Sequence, residues 1–335
     1  MDVQQLRAVV VGAGPAGGTL AAFLIHGGHE VVVVDNAPDL APLLREKGLR
    51  VTGAAELTVP VRHAVPTLAA VEGWDPDVII VATKAPVVPV LCPALERAAG
   101  PSTFLLAYQN GIDTEAPLLA AFGASRVARA VVRYGANQVE PGHLRMTFWH
   151  RPNFVGGFSP ELYPACTGLA DAMTASGLPT RATPDIVTRV WEKAIANAMN
   201  SLSAVTGLTI GGILDIPVLR QTFVDLLVER IAIAKAHGIV IREGFLHDLV
   251  VFHEKAREHM PSSYSDVQHG LPTEVDWMEG KFVDYAGRAG LPAPIDQTLL
   301  ALVKGRTAAG EIERAMAAAA VPAWKAEPRI PVPVH

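Results

Sequence analysis

Lys193 stands in the stretch WEKAIANAMNS, Trp191–Ser201, where it shares a mostly apolar or neutral segment with amides. On a helix, Lys193, Asn197 and Ser201 follow an i, i+4, i+8 series along one face, with Asn200 at i+7 as an alternative third member. Polar groups in so apolar a helix need partners when buried, whether protein, water or ligand. Hydride addition to a ketone creates an alkoxide, and a cationic lysine can stabilise that charge and then donate the proton. Partial burial would bring its pKa towards the operating pH. An asparagine on the same face can orient the carbonyl or a cofactor amide. The competing reading is a packed helix with one snorkelling lysine.

A hydride source is suggested far upstream. Gly12, Gly14 and Gly17 are the glycines of GAGPAG, with Pro15 and Ala16 between them. The motif follows the apolar run AVVV, Ala8–Val11, and precedes the helical pattern TLAAFLIH, Thr19–His26. Gly12 permits a tight turn, Gly14 lets the backbone approach a pyrophosphate, and Gly17 permits close packing of helix on strand. The N–H groups at the helix start would hold phosphate oxygens. Asp35 ends the next strand at the spacing of a ribose-binding acid. A carboxylate there accepts from both ribose hydroxyls and repels the extra phosphate of NADP, so NAD(H) is expected over NADP(H). The competing reading makes Asp35 a cap for the segment after it. Lys84 and Asn110 each follow an apolar strand, and the carboxyl ends of such strands line the ligand crevice of an open parallel sheet.

A second polar concentration is PSSYSDVQHGLPTEVD, Pro261–Asp276. Thr273 would cap a helix starting at Glu274, whose carboxylate would then favour the helix dipole. Ser262 and Ser263 fit either a bound carboxylate or an ordinary loop. His253, His259 and His269 do not make a metal site: HEKAR, His253–Arg257, lacks the second histidine of a zinc motif, and no cysteine cluster is present. No metal is expected.

The elements that would position these groups begin as strand, glycine turn, helix and parallel strand, a doubly wound α/β unit. Strands are expected at Glu30–Asp35, Val78–Ala82, Thr103–Tyr108 and Arg126–Val132, with outer strands at Gly142–His150 and Asn153–Phe158. A helix is expected over Pro164–Gly177. The breaker-rich GLPTRATP, Gly177–Pro184, divides the chain into a dinucleotide-binding domain over 1–180 and a helical domain over 181–325, with a tail at 326–335. Helices are expected at Ile186–Thr206, Pro217–His237, Asp248–His259, Thr273–Ala289 and Ile295–Leu302.

Composition sets the limits. The chain has 335 residues, half of them apolar, enough for two domains with sizeable cores. A formal charge of −5 with interspersed signs and no basic block speaks against nucleic acid. Two cysteines make neither a disulfide framework nor a metal cluster. No apolar run is long enough for a membrane span, and the start lacks the plan of a secretion signal, so a cytoplasmic location is the default.

Taken in order, these pieces resemble the ketopantoate reductase (2-dehydropantoate 2-reductase) family. They are GAGPAG at Gly12–Gly17, Lys84, QNG at Gln109–Gly111, KAIAN at Lys193–Asn197, SSYSDVQHGLPTEVD at Ser262–Asp276 and GLPAP at Gly290–Pro294. The resemblance covers nearly the whole chain. It implies a Rossmann-like N-terminal domain, an all-helical C-terminal domain that carries the homodimer contact, and nicotinamide-dependent reduction of a small 2-keto acid or the reverse oxidation. It makes Lys193 the general acid and Glu274 the carboxylate supporting the reacting group or a substrate hydroxyl. Asn110 would orient substrate or nicotinamide, Asn197 and Ser262 would recognise the hydroxy acid, and Lys84 would be a cation near the cofactor. Three features depart from the family's pattern. Ser201 takes a position often held by asparagine, the serine segment is altered to SSYSD, and Asp35 replaces the basic surroundings of the NADP phosphate. Another hydroxyacid or opine-type dehydrogenase, and a non-catalytic dinucleotide sensor, are the alternatives.

Overall fold

The valine-rich segment Arg7–Val11 forms β1 at the centre of an eight-stranded sheet, and the chain then winds outward from it on both sides. The computed structural model describes residues 5–268 and 273–319. In chain order the first elements are β1, α1 (Pro15–His26), β2 (Glu30–Val34), α2 (Leu40–Lys47), β3 (Leu49–Gly53), β4 (Leu57–Val59), β5 (His63–Val65) and β6 (Val78–Val81). There follow α3 (Val88–Ala98), β7 (Phe104–Ala107), α4 (Ala116–Phe122), β8 (Val127–Val131), β9 (Tyr134–Glu140), β10 (His143–Trp149), β11 (Asn153–Gly157), α5 (Tyr163–Ala175) and β12 (Thr180–Ala182).

The main sheet runs in the order β12-β11-β8-β7-β6-β1-β2-β5. Pairing is parallel from β5 through to β8, and β11 lies antiparallel to β8. Its central strands are apolar without alternation because both faces are covered. Val10, Val33, Ile80 and Leu106 pack on one side, while Val9, Val32, Ile79 and Leu105 pack on the other. The strand order reverses between β1 and β6, and a ligand crevice is expected beyond their carboxyl ends. The glycine loop follows one of these strands and Lys84 follows the other.

A second sheet, in the order β4-β3-β10-β9, was not foreseen. Its strands β3 and β4 are short and half exposed, so their hydrophobic pattern is weak. The expected outer strand at Gly142–His150 is β10, which pairs antiparallel with β9 and parallel with β3.

Beyond β12 the chain is helical: α6 (Ile186–Ala196), α7 (Met199–Thr206), α8 (Ile210–Asp215), α9 (Pro217–Ala236), α10 (Phe245–Lys255), α11 (Ser262–Gln268), α12 (Glu279–Ala289) and α13 (Pro294–Ala319). They enclose a separate core around Trp191, Ile195, Phe223, Leu227 and Phe282. Three expectations need correction. The helix expected over Ile186–Thr206 breaks after Ala196, because the Ala198 N–H turns to the Ile195 carbonyl at 3.2 Å and the Arg230 guanidinium takes the Ala194 carbonyl instead. The helix expected from Thr273 is a short 3-10 turn at Val275–Trp277, and α12 starts only at Glu279 after Met278 leaves helical backbone angles. The last helix runs well past Leu302, through a segment rich in alanine, glutamate and arginine that favours helix without showing a strong apolar stripe.

Candidate active site

The glycine loop fits a dinucleotide for local reasons. Gly12 has φ +100°, where other residues are strained, and its N–H donates to the Val34 carbonyl at 2.8 Å. A Cβ on Gly17 would lie 2.1 Å from the Gly12 carbonyl oxygen and 2.7 Å from the Ala82 Cβ, so only glycine lets α1 approach β6 this closely. A Cβ on Gly14 would meet nothing within 4 Å. Helix α1 starts with Pro15 in its first turn, with no side chain capping its N–H groups and no acid in that turn. Those donors are therefore available to an anion. The Ala16 carbonyl accepts a hydrogen bond from the Tyr134 hydroxyl at 2.9 Å, which ties the same turn to the second sheet.

These two glycines give a paired expectation. Gly14→Ala should melt within about 1 °C of the wild type, because the added methyl enters open space, yet bind nicotinamide dinucleotides at least about tenfold more weakly, because that space is where a pyrophosphate approaches. Gly17→Ala should lose thermal stability as well. Melting curves and fluorescence titrations read both, and unchanged dinucleotide affinity in Gly14→Ala would contradict the placement of the cofactor.

Asp35 is bound into this loop. One carboxylate oxygen accepts the Ala13 N–H at 2.7 Å and the other accepts the Ala37 N–H at 2.9 Å. Each oxygen retains a further lone pair, so shaping the turn and receiving ribose hydroxyls are compatible roles.

At the ends of β6 and β7 the two halves of the molecule meet. The Ile112 N–H donates to the Trp277 carbonyl at 2.8 Å, which stitches the loop carrying Asn110 to the turn that follows Glu274. Gly111, at φ +105°, passes so close to Trp277 that a Cβ would lie 2.8 Å away. Lys84 donates to Asp266 of α11 across the same gap at 2.6 Å. Burial opposes the charge on Lys84, but the carboxylates of Glu274 and Asp266 outweigh it, and its pKa is raised. Burial likewise raises the pKa of Glu274; Asp266 adds to that, while Lys84 and Arg129 oppose it.

Two adjoining cavities open here. The wall of the first includes Asn110, Asn200, Ser201, Ser263 and Glu274. The second is lined by Asn110, Arg129, Val131, Val190 and Lys193. Asn110 belongs to both, so it stands where the chamber of Lys193 joins the chamber of Glu274. The break after α6 lets both Asn200 and Ser201 face the first cavity, whereas Asn197 is 9% exposed at the helix end. The side chain of Ser262 lies outside the described residues; its backbone opens α11.

Lys193 is partly buried, and no carboxylate pairs with it among the described residues. Burial, assisted by the positive charge of Arg133, lowers its pKa to about 8. At neutral pH it holds a proton that it can release readily.

Arg129 was missed in the sequence, where it sits inside the apolar run RVARAVV. It is 2% exposed. Its guanidinium donates to the Gly111 carbonyl at 2.9 Å and the Ala107 carbonyl at 3.3 Å, and lies 3.3 Å from Glu115. It therefore fixes the turn that presents Asn110. The available signal was a lone cation in the middle of a fully buried strand. Gln109, beside Asn110, donates its side-chain amide to the Val81 carbonyl at 2.6 Å.

The chain matches the family described as "Ketopantoate reductase PanE/ApbA" over residues 8–157 and its C-terminal counterpart over residues 185–307. It belongs to the ketopantoate reductase family. A 2-dehydropantoate 2-reductase of Pyrococcus abyssi is 26% identical over 305 residues, covering 90% of this chain and 98% of the relative. The crystal structure of a 2-dehydropantoate 2-reductase from Geobacter metallireducens superposes with a TM-score of 0.83 at 26% identity, covering 90% of this chain and 99% of that one. The fold is also shared with a D-mandelate dehydrogenase solved with NADH and anilino(oxo)acetate, at a TM-score of 0.82 and 20% identity over 91% and 98% of the two chains. As a ketopantoate reductase family member the chain is an NAD(P)-dependent oxidoreductase of the class that interconverts small keto and hydroxy acids. No helix among the described residues is long and apolar enough to cross a membrane, and no group of three or more potential metal ligands is present among them.

Proposed function

We propose that this protein reduces a small 2-keto acid to the 2-hydroxy acid, or runs the reverse oxidation, with NAD(H) as the preferred cofactor. The observation that carries this reading is Lys193. Its acidity is raised to a pKa of about 8 in a chamber joined through Asn110 to the one lined by Glu274. When bound at the glycine loop, a nicotinamide dinucleotide supplies the hydride.

The residues do the rest. The carbonyl oxygen gains negative charge as the carbon is reduced, and the Lys193 ammonium stabilises it and then transfers a proton from Nζ. The neutral amine regains a proton from solvent before the next turnover. In the oxidative direction the neutral amine accepts the hydroxyl proton instead. Asn110 orients the reacting group from the wall shared by the two chambers. Glu274 accepts a hydrogen bond from a substrate hydroxyl, with Lys84 balancing its charge. Asn197 supports the lysine face from the end of α6.

The reading is broader than ketopantoate. Ser201 lines the first cavity, with Asn200 beside it, where the family's pattern often has an asparagine, and this exchange alters the polar groups that meet the substrate. This favours another hydroxyacid dehydrogenase as the second reading of the same site. Asp35 supports NAD(H), because its carboxylate repels a ribose phosphate. A spectrophotometric panel of 2-keto and 2-hydroxy acids, each run with both nicotinamide cofactors, tests both parts. Turnover of at least one 2-keto acid, with NADH at least about tenfold better than NADPH in kcat/KM, is expected from one repelled charge. No turnover across the panel would reject the substrate class, and an NADPH preference would reject the role given to Asp35.

A further inference from the structure

We propose that Arg230 is the positioning residue that sets Lys193 against the Glu274 segment. It lies on α9, is fully buried and lines neither cavity itself, but it bonds one wall residue of each, Glu279 of the first and Ala194 of the second. This inference rests on the reading of Lys193 as proton donor.

One guanidinium joins three helices. Its Nη1 donates to the Ala194 carbonyl at 3.1 Å, on the residue directly after Lys193. Its Nη2 donates to Glu279 at 2.7 Å, at the first position of α12 and five residues beyond Glu274. The Nη2 and Nε groups grip Asp296 in the first turn of α13 at 2.6 and 3.0 Å. The plane of the group also lies over the Phe282 ring, 4.6 Å from its centroid. The neighbouring Glu229 holds the same turn of α13 by accepting the Ile295 and Asp296 N–H groups.

The bond to Ala194 has a specific consequence. In an unbroken helix that carbonyl would accept the N–H of Ala198. Here the Ala198 N–H goes to Ile195, and Arg230 supplies the donor that Ala194 would otherwise lack. The break between α6 and α7 is thereby held open. It brings Asn200 and Ser201 to the first cavity while Lys193 faces the second. A planar fork with five donors on three nitrogens can satisfy all three directions at once; the three donors of a lysine radiate from a single atom and do not reproduce that spread.

The experiment compares Arg230→Lys, Arg230→Met and the triple variant R230M/E279L/D296L in the full-length protein. Arg230→Met leaves two acids buried without a partner and is at risk of unfolding. The triple variant removes all three charges together, an exchange that is commonly neutral or stabilising, and so remains foldable. Folded variants should lose on the order of 30- to 100-fold in kcat, the scale of a misplacement of about 1 Å. The dissociation constant for NADH should stay within about twofold, because the glycine loop lies in the other half of the molecule. The solvent deuterium isotope effect on kcat should rise as proton transfer slows.

A folded triple variant with wild-type kcat would overturn the proposal, because the triad would then serve stability alone. A parallel fall in NADH affinity and kcat would overturn it too. Lys193→Met separates the two levels of the argument. Lost turnover in that variant with full turnover in folded Arg230 variants rejects the positioning role alone. Full turnover in Lys193→Met rejects the proton-donor reading and the positioning role with it.

Discussion

Lys193→Met is expected to lower kcat for 2-keto acid reduction by roughly 10²- to 10⁴-fold, the range typical of a lost general acid. The same variant should bind NADH with unchanged affinity, because Lys193 lies on α6 and the glycine loop follows β1 in the other half of the chain. Methionine is close to lysine in length and apolar, so the partly buried site should stay packed and the melting temperature should not fall. Removing an ammonium that burial and Arg133 both disfavour removes a cost from the folded state. Stopped-flow turnover, NADH titration and a melting curve on one preparation check all three. Wild-type turnover that this variant loses while still folding and binding NADH would also exclude the dinucleotide-sensor reading, because a sensor has no turnover to lose.

The second large effect is structural. Arg129→Met should destabilise the protein by about 3–5 kcal/mol, since it leaves Glu115 buried without its ionic partner and two carbonyls without their donors. For a chain of this size that corresponds to a fall in melting temperature of roughly 4–7 °C. Adding Glu115→Leu should recover most of the stability, because the uncompensated charge is gone. It should not recover activity, because the Gly111 carbonyl still lacks the donor that fixes the turn carrying Asn110. Thermal denaturation separates the two contributions. A double variant as unstable as Arg129→Met alone would contradict the charge argument, and one restored in both stability and activity would contradict the role given to the Gly111 bond.

What could be read in the sequence follows from how local each cause is. The run from Ala8 to Asp35 was legible because strand, glycine turn, helix and strand are each specified within a few residues. The strand-end positions of Lys84 and Asn110 were legible because each follows a buried strand; the loop of Asn110 meets the turn after Glu274, and Lys84 meets Asp266 of α11. The break after Ala196 was not legible, because it depends on an arginine 36 residues beyond the Ala194 carbonyl that it takes. Arg129 was passed over for a similar reason. Its partners are two backbone carbonyls and Glu115, and nothing near it in the sequence announces them. The second sheet escaped notice because β3 and β4 carry little apolar surface of their own and are completed by β10, nearly a hundred residues later. Glu274 was placed at the start of a helix on the strength of Thr273. The chain instead forms a short turn there, and that turn hands its Trp277 carbonyl to the loop of Asn110.

Proton donation by Lys193 is tested most directly by the pH dependence of kcat/KM for NADH-driven 2-keto acid reduction between pH 6 and 10. Reduction requires the ammonium form, whose pKa is lowered by burial and by Arg133 to about 8. The rate should therefore be flat below that value and fall about tenfold per pH unit above it. Oxidation of the hydroxy acid requires the neutral amine and should rise with pH and level off above the same value. A reduction profile that stays flat to pH 10, or a falling limb that persists unchanged in Lys193→Met, would contradict the assignment.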